Sequence, residues 1–403
     1  MTRRTRAERP GASSSPAGAV LTPLQQTVAA LWADPAPRAV PPRSAATPGT
    51  TRLVAVPRAA SARLLVPAHP ARAAAGAVSR YSTALTTKER VTRVALATGL
   101  RLGGARLLPD GLEARGGGLV GHLAEVLGEP VVVSVGIGTA RANRKPVLEV
   151  FDRAGRSLAF VKVGDTAVAR DHVAGEERAL RRIADATWDV VRIPRVLHCG
   201  EWDGALMLVV STLATTPWPR VRDGLVGRAQ DEVFASLGVQ RAPLVDAPLW
   251  TQARTAAEGL GEPGARLRAA LDALEDRLPD RDVPIGSWHG DWTPWNMCPH
   301  RGRLHVWDWE RFSSGVPAGL DAVHHAVNVA TRARGASVDV VAGALARSSS
   351  DDLARAAYLV AVTARYLAAA ADAGGEAIRP RADVFLDCLE REAGLHAHTR
   401  GHA

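Results

Sequence analysis

Residues 287–297, SWHGDWTPWNM, constrain what this chain can fold into more than any other stretch of its 403 residues. The stretch mixes three Trp with one His, one Asp and one Asn, which suits neither a regular strand nor a regular helix. The residues that follow, CPHRGRLHVWDWE, predict a return strand over residues 304–309 after a turn at residues 300–302. A hairpin of this kind would place Asn296 close to Asp308.

The side chains that this hairpin would gather are oxygen donors. Asp291, Asn296 and Asp308 offer two carboxylates and an amide oxygen, a set that suits Mg²⁺ bound with phosphates better than zinc. Transfer of a phosphoryl group also needs a Lys for the phosphates and an acid that holds this Lys. The simpler alternative is a turn-rich loop in which Asp and Asn act only as caps, and that alternative predicts no matching Lys and Glu upstream.

A matching Lys and Glu do occur upstream, in a segment whose pattern predicts a small α+β unit. The elements predicted there are strands at residues 130–135, 146–151, 157–163, 190–198 and 205–212, and a helix at residues 167–184. Lys162 lies in the third strand between apolar residues, and Glu176 shares a predicted helix face with Leu180 and Ile183. We therefore expect Glu176 to hold Lys162; the alternatives are a Lys that reaches solvent and a Glu on the helix surface.

The chain divides by composition into four regions. Residues 1–50 are expected to be a disordered tail and a Pro-rich linker, and residues 51–127 an α/β extension whose role the sequence does not reveal. Residues 128–212 form the small β-rich lobe, and residues 213–403 are mainly helical. The predicted class is therefore α+β with two lobes and a ligand cleft between them.

The order of the polar residues resembles that of the aminoglycoside phosphotransferase-like kinases over roughly residues 129–403. The resemblance rests on Lys162, on Glu176, on the His-Gly-Asp-x4-Asn motif at residues 289–296 and on Asp-Trp-Glu at residues 308–310. It implies the two-lobed protein-kinase-like fold, with a small β-rich N-lobe and a mainly helical C-lobe. It also implies that ATP and Mg²⁺ are the cofactors and that the acceptor is a hydroxyl of a small molecule, such as an aminoglycoside, a sugar or an amino alcohol.

The resemblance assigns roles to residues by their position. Asp291 would be the catalytic base, and His289 would brace the loop that carries it. The remaining assignments are Asn296 and Asp308 to Mg²⁺, Lys162 to the ATP phosphates, Glu176 to Lys162, Gly136 and Gly138 to the phosphate loop, Val210 and Thr212 to the adenine-contacting hinge, and Asp321 to the support of the catalytic loop.

The phosphate loop departs from the expected glycine-rich pattern. It has two glycines and then a basic cluster made of Arg141, Asn143, Arg144 and Lys145. This cluster either adds cationic contacts to the nucleotide phosphates or forms a solvated hairpin tip.

The net charge of +9 comes from the N-terminal quarter of the chain. Residues 1–110 carry 16 Lys and Arg against 4 Asp and Glu, a net of +12, whereas the remainder has a net of −3. Because these Arg residues are scattered and aromatics are scarce among them, a solvated segment is favoured over nucleic-acid binding.

Other compositional features favour a cytoplasmic protein without a membrane span. Three widely spaced Cys are typical of a reducing compartment. The most apolar stretch, residues 356–371, is interrupted by Arg365, and the basic N-terminus is not followed by the apolar core of a secretory signal.

Two functions of other classes stay open on the sequence. One is a catalytically silent nucleotide-binding regulatory module. The other is a protein tethered to a surface or a nucleic acid through its basic N-terminal extension.

Overall fold

The computed structural model describes residues 22–32, 37–41, 47, 49–115, 118–137, 145–220, 222–278, 282–348, 351–372 and 374–395. Gly138 lies outside the described residues, and so do Arg141, Asn143 and Arg144 of the basic cluster and residues 1–21 of the tail and linker predicted over residues 1–50. All statements on structure below refer to the described residues.

The strands are β1 (Arg38–Val40), β2 (Thr50–Val56), β3 (Leu64–Pro67), β4 (Gly111–Arg115), β5 (Val131–Gly136), β6 (Val147–Asp152), β7 (Ser157–Gly164), β8 (Val191–Arg192), β9 (Val196–Trp202), β10 (Ala205–Ser211), β11 (Gln240–Pro243), β12 (Asp282–Trp288), β13 (Met297–His300), β14 (Arg303–Val306) and β15 (Ser313–Pro317).

The helices are α1 (Pro23–Leu31), α2 (Ala71–Val78), α3 (Thr87–Arg101), α4 (Leu119–Leu127), α5 (Ala167–Arg182), α6 (Leu225–Ala235), α7 (Pro248–Ala256), α8 (Gly261–Glu275), α9 (Leu320–Arg334), α10 (Val338–Ser348), α11 (Asp352–Ala371) and α12 (Arg379–Glu392).

One nine-stranded sheet contains β1, the strands of the extension and all strands of the small lobe except β8. Its order is β1-β4-β2-β3-β5-β6-β7-β10-β9. The junction is the antiparallel pairing of β3 with β5, in which Leu64 lies opposite Gly136 and Leu65 opposite Val135. The hydrogen bonding of the extension strands β2 and β3 therefore continues into the small lobe. The sheet therefore continues across the boundary that the sequence predicted at residue 127.

The extension also shares its hydrophobic core with the small lobe. Leu53 and Leu65 from the extension strands and Leu119 and Leu123 from α4 are fully buried in one cluster with the strands β5 to β7. On the opposite face, α2 packs its alanines against Phe151 of β6. Two helices, α2 and α4, therefore cover opposite faces of a single sheet.

The small lobe has the predicted strands and helix, with one difference. The strand predicted over residues 190–198 is divided into β8, which pairs in parallel with β14, and β9, which joins the main sheet. Pro194 stands between them, and a proline, which has no backbone N–H, interrupts strand pairing.

The large lobe is mainly helical, as predicted, and is built around α11. This helix is long and apolar enough to cross a membrane, but 67% of its apolar stretch is buried inside the protein. Tyr358, Leu359, Val360 and Val362 lie in the core of the large lobe together with residues of α7, α8, α9 and α12. Thus α11 has the burial of a core helix, and the two-lobed α+β architecture is confirmed.

The helical segment that follows β11 is divided into two helices. The stretch at residues 252–278 is broken between α7 and α8, where Gly259 and Gly261 have φ angles of +75° and +62°. Glycine adopts this left-handed conformation without the penalty that other residues meet, so the chain turns here.

Candidate active site

The predicted lysine, its glutamate and the distant aspartate meet in the cleft between the lobes. Lys162 Nζ on β7 lies 2.7 Å from Asp308 Oδ1, which follows β14, and forms an ion pair with Glu176 of α5. Glu176 is buried, and its Oε1 accepts a hydrogen bond of 3.4 Å from the backbone N–H of Trp309. Glu176 therefore holds both the lysine and the chain next to Asp308.

The charges in this cluster stabilise one another against burial. Burial lowers the pKa of Lys162, but the carboxylates of Asp308 and Glu176 outweigh that effect and raise it. Burial likewise raises the pKa of Asp308, yet Lys162 and Lys145 lower it well below its usual range. Both groups are consequently charged near neutral pH.

A second lysine and carboxylate lie beside the first pair. Lys145, just before β6, forms an ion pair with Glu310. Burial lowers the pKa of Lys145 to about 8, an effect that Asp308 opposes. Carboxylate oxygens of Glu176, Asp308 and Glu310 can all lie within 4.8 Å of one another, a spacing that suits a metal ion. Of the basic cluster at the phosphate loop, Lys145 is thus the described member, and it lies in the cleft.

Asp308 has a backbone conformation that is uncommon for a residue with a side chain. Its φ and ψ angles are 72° and 58°, in the left-handed region, where Asp and Asn are among the more frequent non-glycine residues. The chain turns at this point from β14 into the short 3₁₀ segment Trp309–Arg311. The turn directs the Asp308 carboxylate back to Lys162.

The loop between β12 and β13 is held in place by a buried carboxylate. Asp321, at the start of α9, accepts hydrogen bonds from the backbone N–H groups of His289 (2.8 Å) and Gly290 (3.1 Å). Burial raises the pKa of Asp321 to about 7, although these two N–H groups act in the opposite direction. Gly290 has φ +77°, and a Cβ there would lie 2.3 Å from the carbonyl oxygen of Arg311. The loop therefore requires glycine at this position.

His289 links this loop to β14. Its Nδ1 accepts a hydrogen bond of 3.2 Å from the backbone N–H of Asp291, so the proton of the neutral ring is on Nε2, which lies 3.2 Å from the carbonyl oxygen of Trp307. Burial lowers the pKa of His289, which keeps the ring neutral. The contacts are those of a brace between the Asp291 loop and the strand that leads to Asp308.

Asp291 is held by two side chains. Asn296 Nδ2 donates a hydrogen bond of 2.8 Å to Asp291 Oδ2, and His324 Nε2 of α9 lies 3.3 Å from Asp291 Oδ1. Burial raises the pKa of Asp291, but His324 acts against it and the net shift is downward. The carboxylate is about one-third exposed, and it is ionised near neutral pH.

A cavity of about 620 Å³ occupies the cleft. Lys145, Lys162, Asp308 and Glu310 line it at one end. Val210 lines it too, and so do Ser211 and Leu213. Thr212, predicted to be the second hinge residue, is not among the lining residues.

Not all of the predicted residues line this cavity. Gly136 ends β5 and is outside its lining, whereas Trp295 and Trp307 are part of it. Asp291 and Asn296 are also outside the lining, although the backbone N–H of Trp307 donates to the carbonyl oxygen of Asn296 (3.1 Å). The structure thus forms two adjacent groups, one around Lys162 and Asp308 and one around Asp291, which are joined through Trp307.

Sequence reasoning missed two residues that position the loop between β12 and β13. Arg365 of α11 donates a hydrogen bond of 2.7 Å to the carbonyl oxygen of Gly290, and His324 contacts Asp291. Each had a signal in the sequence. Arg365 is the charge within the apolar stretch at residues 356–371, and His324 lies one helical turn after Asp321 on the same face.

The burial of His324 predicts a dependence of stability on pH. Burial lowers its pKa from 6.5 to about 4; a hydrogen bond to Asp291 opposes this shift, and the charge of Arg365 adds to it. The folded state therefore favours neutral His324, and the resulting stability is present above the unfolded pKa and lost as the pH falls toward the folded one. Between about pH 7 and about pH 5 the loss from this residue is about 2 kcal/mol.

Urea unfolding of the wild type and of His324→Gln at both pH values measures this effect. The variant is expected to lose about 2 kcal/mol less than the wild type on acidification. His172, whose pKa burial also lowers to about 4, is present in both proteins and cancels in the comparison. Equal losses in the two proteins would contradict the assignment to His324.

Comparisons with known proteins gave matches in structure only. No protein-family model matches the chain, and no curated protein sequence does. A thermostable mutant of aminoglycoside phosphotransferase APH(4)-Ia, in its apo form, is 16% identical with a TM-score of 0.45, over 70% of this chain and 100% of that one.

Two further solved structures are similar at the same level. A protein from Haemophilus somnus 129PT that is described as a fructosamine-3-kinase is 12% identical with a TM-score of 0.40, over 68% of this chain and 96% of that one. A choline/ethanolamine kinase family protein from Mesorhizobium loti is 14% identical with a TM-score of 0.36, over 62% and 88%. Because these TM-scores lie below 0.5, the similarities do not by themselves assign a function to the chain.

Proposed function

We propose that this protein transfers the γ-phosphoryl group of ATP, with Mg²⁺, to a hydroxyl group of a small molecule. The observation that carries the proposal is the pairing of Lys162 with Asp308 across the cleft, 146 residues apart in the chain, with Glu176 behind the lysine. An unpaired buried lysine is costly, and a surface lysine would not need two acids. The arrangement instead supplies a cation for phosphates next to an acid for a metal ion.

The described residues fit Mg²⁺. Asp308, Glu310 and the amide oxygen of Asn296 are hard oxygen donors, and the carboxylates of Glu176, Asp308 and Glu310 come together within one small region. When bound, Mg²⁺ would supply neutralisation of charge on the phosphate oxygens. Asn296 and Asp308 would hold it, and Glu310 is a further candidate that the sequence prediction did not include.

The protein's own side chains would then do three things. Lys162, whose Nζ lies beside Asp308 in the cleft, would bind phosphate oxygens as a point charge. Asp291, ionised and fixed by Asn296 and His324, would orient the acceptor hydroxyl and accept its proton at a carboxylate oxygen. These two contacts would keep that carboxylate in one position, since alignment of the reacting groups is most of what such a reaction needs.

The test is a transfer assay with purified protein, Mg·ATP and a panel of aminoglycosides, sugars and amino alcohols. Lys162→Met should reduce turnover at least about 100-fold, because the phosphates lose their direct cation. Lys88→Met is the matched control, since Lys88 is exposed on α3 and should tolerate the change. A thermal melt of each variant separates lost chemistry from lost folding. Equal turnover of Lys162→Met and Lys88→Met would contradict the proposal.

The alternatives differ from it in observable ways. A silent nucleotide-binding module would bind Mg·ATP but transfer phosphate to no acceptor in the panel. A protein tethered through its basic extension would bind nucleic acid with a strong salt dependence. Against the second alternative, some basic side chains there have internal partners, such as Arg52 with Glu113 and Arg80 with Glu149. We expect a cytoplasmic protein for which nucleic acid is not the partner.

A further inference from the structure

Residues 79–86, here called the strap, connect α2 to α3 and cross from the small lobe to the large one. Neither the sequence pattern nor the proposed reaction gives them a role. The strap belongs to the extension, yet it lies against the cleft. Its two ends are fixed to different lobes, as the following contacts show.

The first end is attached to the small lobe through Arg80. Its Nε donates a hydrogen bond of 2.8 Å to Glu149 Oε2 on β6, and its Nη2 donates one of 3.2 Å to Ser157 Oγ on β7. The guanidinium lies 3.9 Å from the ring centroid of Phe160. Phe160 is two residues before Lys162, so it points to the same side of the sheet, and it lies opposite Val210 in β10. Arg80 therefore sits at the hinge end of the cleft.

The other end is attached to the loop that carries the proposed catalytic residues. The backbone N–H groups of Thr83 and Ala84 donate to the carbonyl oxygens of Met297 and Pro294, each at 3.0 Å, and Thr83 Oγ1 donates to Pro294 at 2.7 Å. Buried Arg90 of α3 donates to the carbonyl oxygens of Leu85 (2.8 Å) and Pro217 (2.8 Å). The strap is thus a second connection between the lobes, besides the hinge.

The strap also faces the cavity. Arg80, Tyr81, Ser82, Ala84 and Leu85 all line it, together with Phe160, Val210, Leu213 and Thr215. Lys162 and Asp308 line the same cavity. A nucleotide whose phosphates lie at Lys162 would therefore place its nucleoside between the hinge residues and the strap.

We propose that the strap forms one wall of the nucleoside end of the nucleotide site and sets which nucleotides the cleft accepts. The inference rests on the proposed function, since it takes the cavity to hold a nucleotide. It adds that residues 79–86, outside the two-lobed core, bind the base and the ribose. The phosphate end is left to Lys162 and Asp308.

Binding measurements with two kinds of ligand distinguish the nucleoside end of the site from the phosphate end. Full-length protein is titrated with Mg²⁺ and either ATP, GTP or inorganic tripolyphosphate, which lacks a nucleoside. Ala84→Phe adds bulk on the cavity side of the strap, and Leu85→Ala removes apolar wall; Val91→Ala, exposed on α3 away from the cavity, is the control. Thermal melts establish whether each variant is folded. If Ala84→Phe does not fold, Leu85→Ala still tests the inference.

The expected result is selective. Ala84→Phe should weaken ATP binding at least about tenfold, and Leu85→Ala should weaken it about threefold to tenfold or change the ATP-to-GTP preference, while tripolyphosphate binds as in the wild type. Unchanged ATP and GTP binding in both folded variants overturns the inference alone, as does an equal loss for tripolyphosphate. A wild type that binds neither ATP nor GTP overturns the proposed function, and the inference with it.

Discussion

Replacing Asp308 with Asn should remove the Mg²⁺ dependence of nucleotide binding and reduce turnover by about 10³-fold or more. The substitution keeps the size of the side chain. Asn also tolerates the left-handed conformation, φ 72°, that residue 308 adopts, so we expect the backbone conformation to stay the same. What is lost is the negative charge that pairs with Lys162 at 2.7 Å and that a divalent cation would need.

The measurement is ATP affinity as a function of Mg²⁺ concentration, followed in parallel with turnover. In the wild type, Mg²⁺ should strengthen ATP binding, and in Asp308→Asn this strengthening should be absent. Lys162 keeps Glu176 as a partner in the variant, which limits the cost to folding. A variant with wild-type Mg²⁺ dependence would show that Asp308 is not a metal ligand.

Replacing Asp291 with Asn should lower turnover by about 10² to 10⁴-fold while ATP affinity stays within about threefold of the wild type. The new amide oxygen can still accept the hydrogen bond from Asn296, so the loop keeps its shape. It cannot accept a proton from the acceptor hydroxyl. Binding and chemistry are therefore expected to separate at this residue, in contrast to residue 308.

The matched control is Asp339→Asn, because the Asp339 side chain is 95% exposed on α10. That variant should retain full turnover. Single-turnover measurements of phosphate transfer would exclude product release as the limiting step. If Asp291→Asn turned over within tenfold of the wild type, another group would have to act as the base.

The sequence predicted those parts of the candidate site for which chemistry dictates residue type and spacing. The Asn296 to Asp308 hairpin follows from a short turn between two strands, and it is present as β13 and β14. The prediction that Glu176 holds Lys162 followed from the helix face that Glu176 shares with Leu180, and Glu176 does pair with Lys162. Both predictions depended on local periodicity, which a single sequence displays.

Contacts between distant segments were not predictable in this way. Thr83 and Pro294 are 211 residues apart, and no sequence pattern in either segment indicates that the two are in contact. The hinge shows a smaller version of the same difficulty. Strand β10 ends at Ser211, so the alternation of side chains no longer decides which residue faces the cavity, and Ser211 and Leu213 line it rather than Thr212.

The pairing of β3 with β5 bears on any attempt to isolate the two-lobed part of this protein. A chain that begins at residue 128 would present β5 with an unpaired row of backbone N–H and C=O groups where β3 now binds. It would also expose to water the apolar side chains of β5 that pack with Leu65 and Leu119. The two-lobed part therefore depends on the extension for one neighbour of β5 and for part of its hydrophobic core.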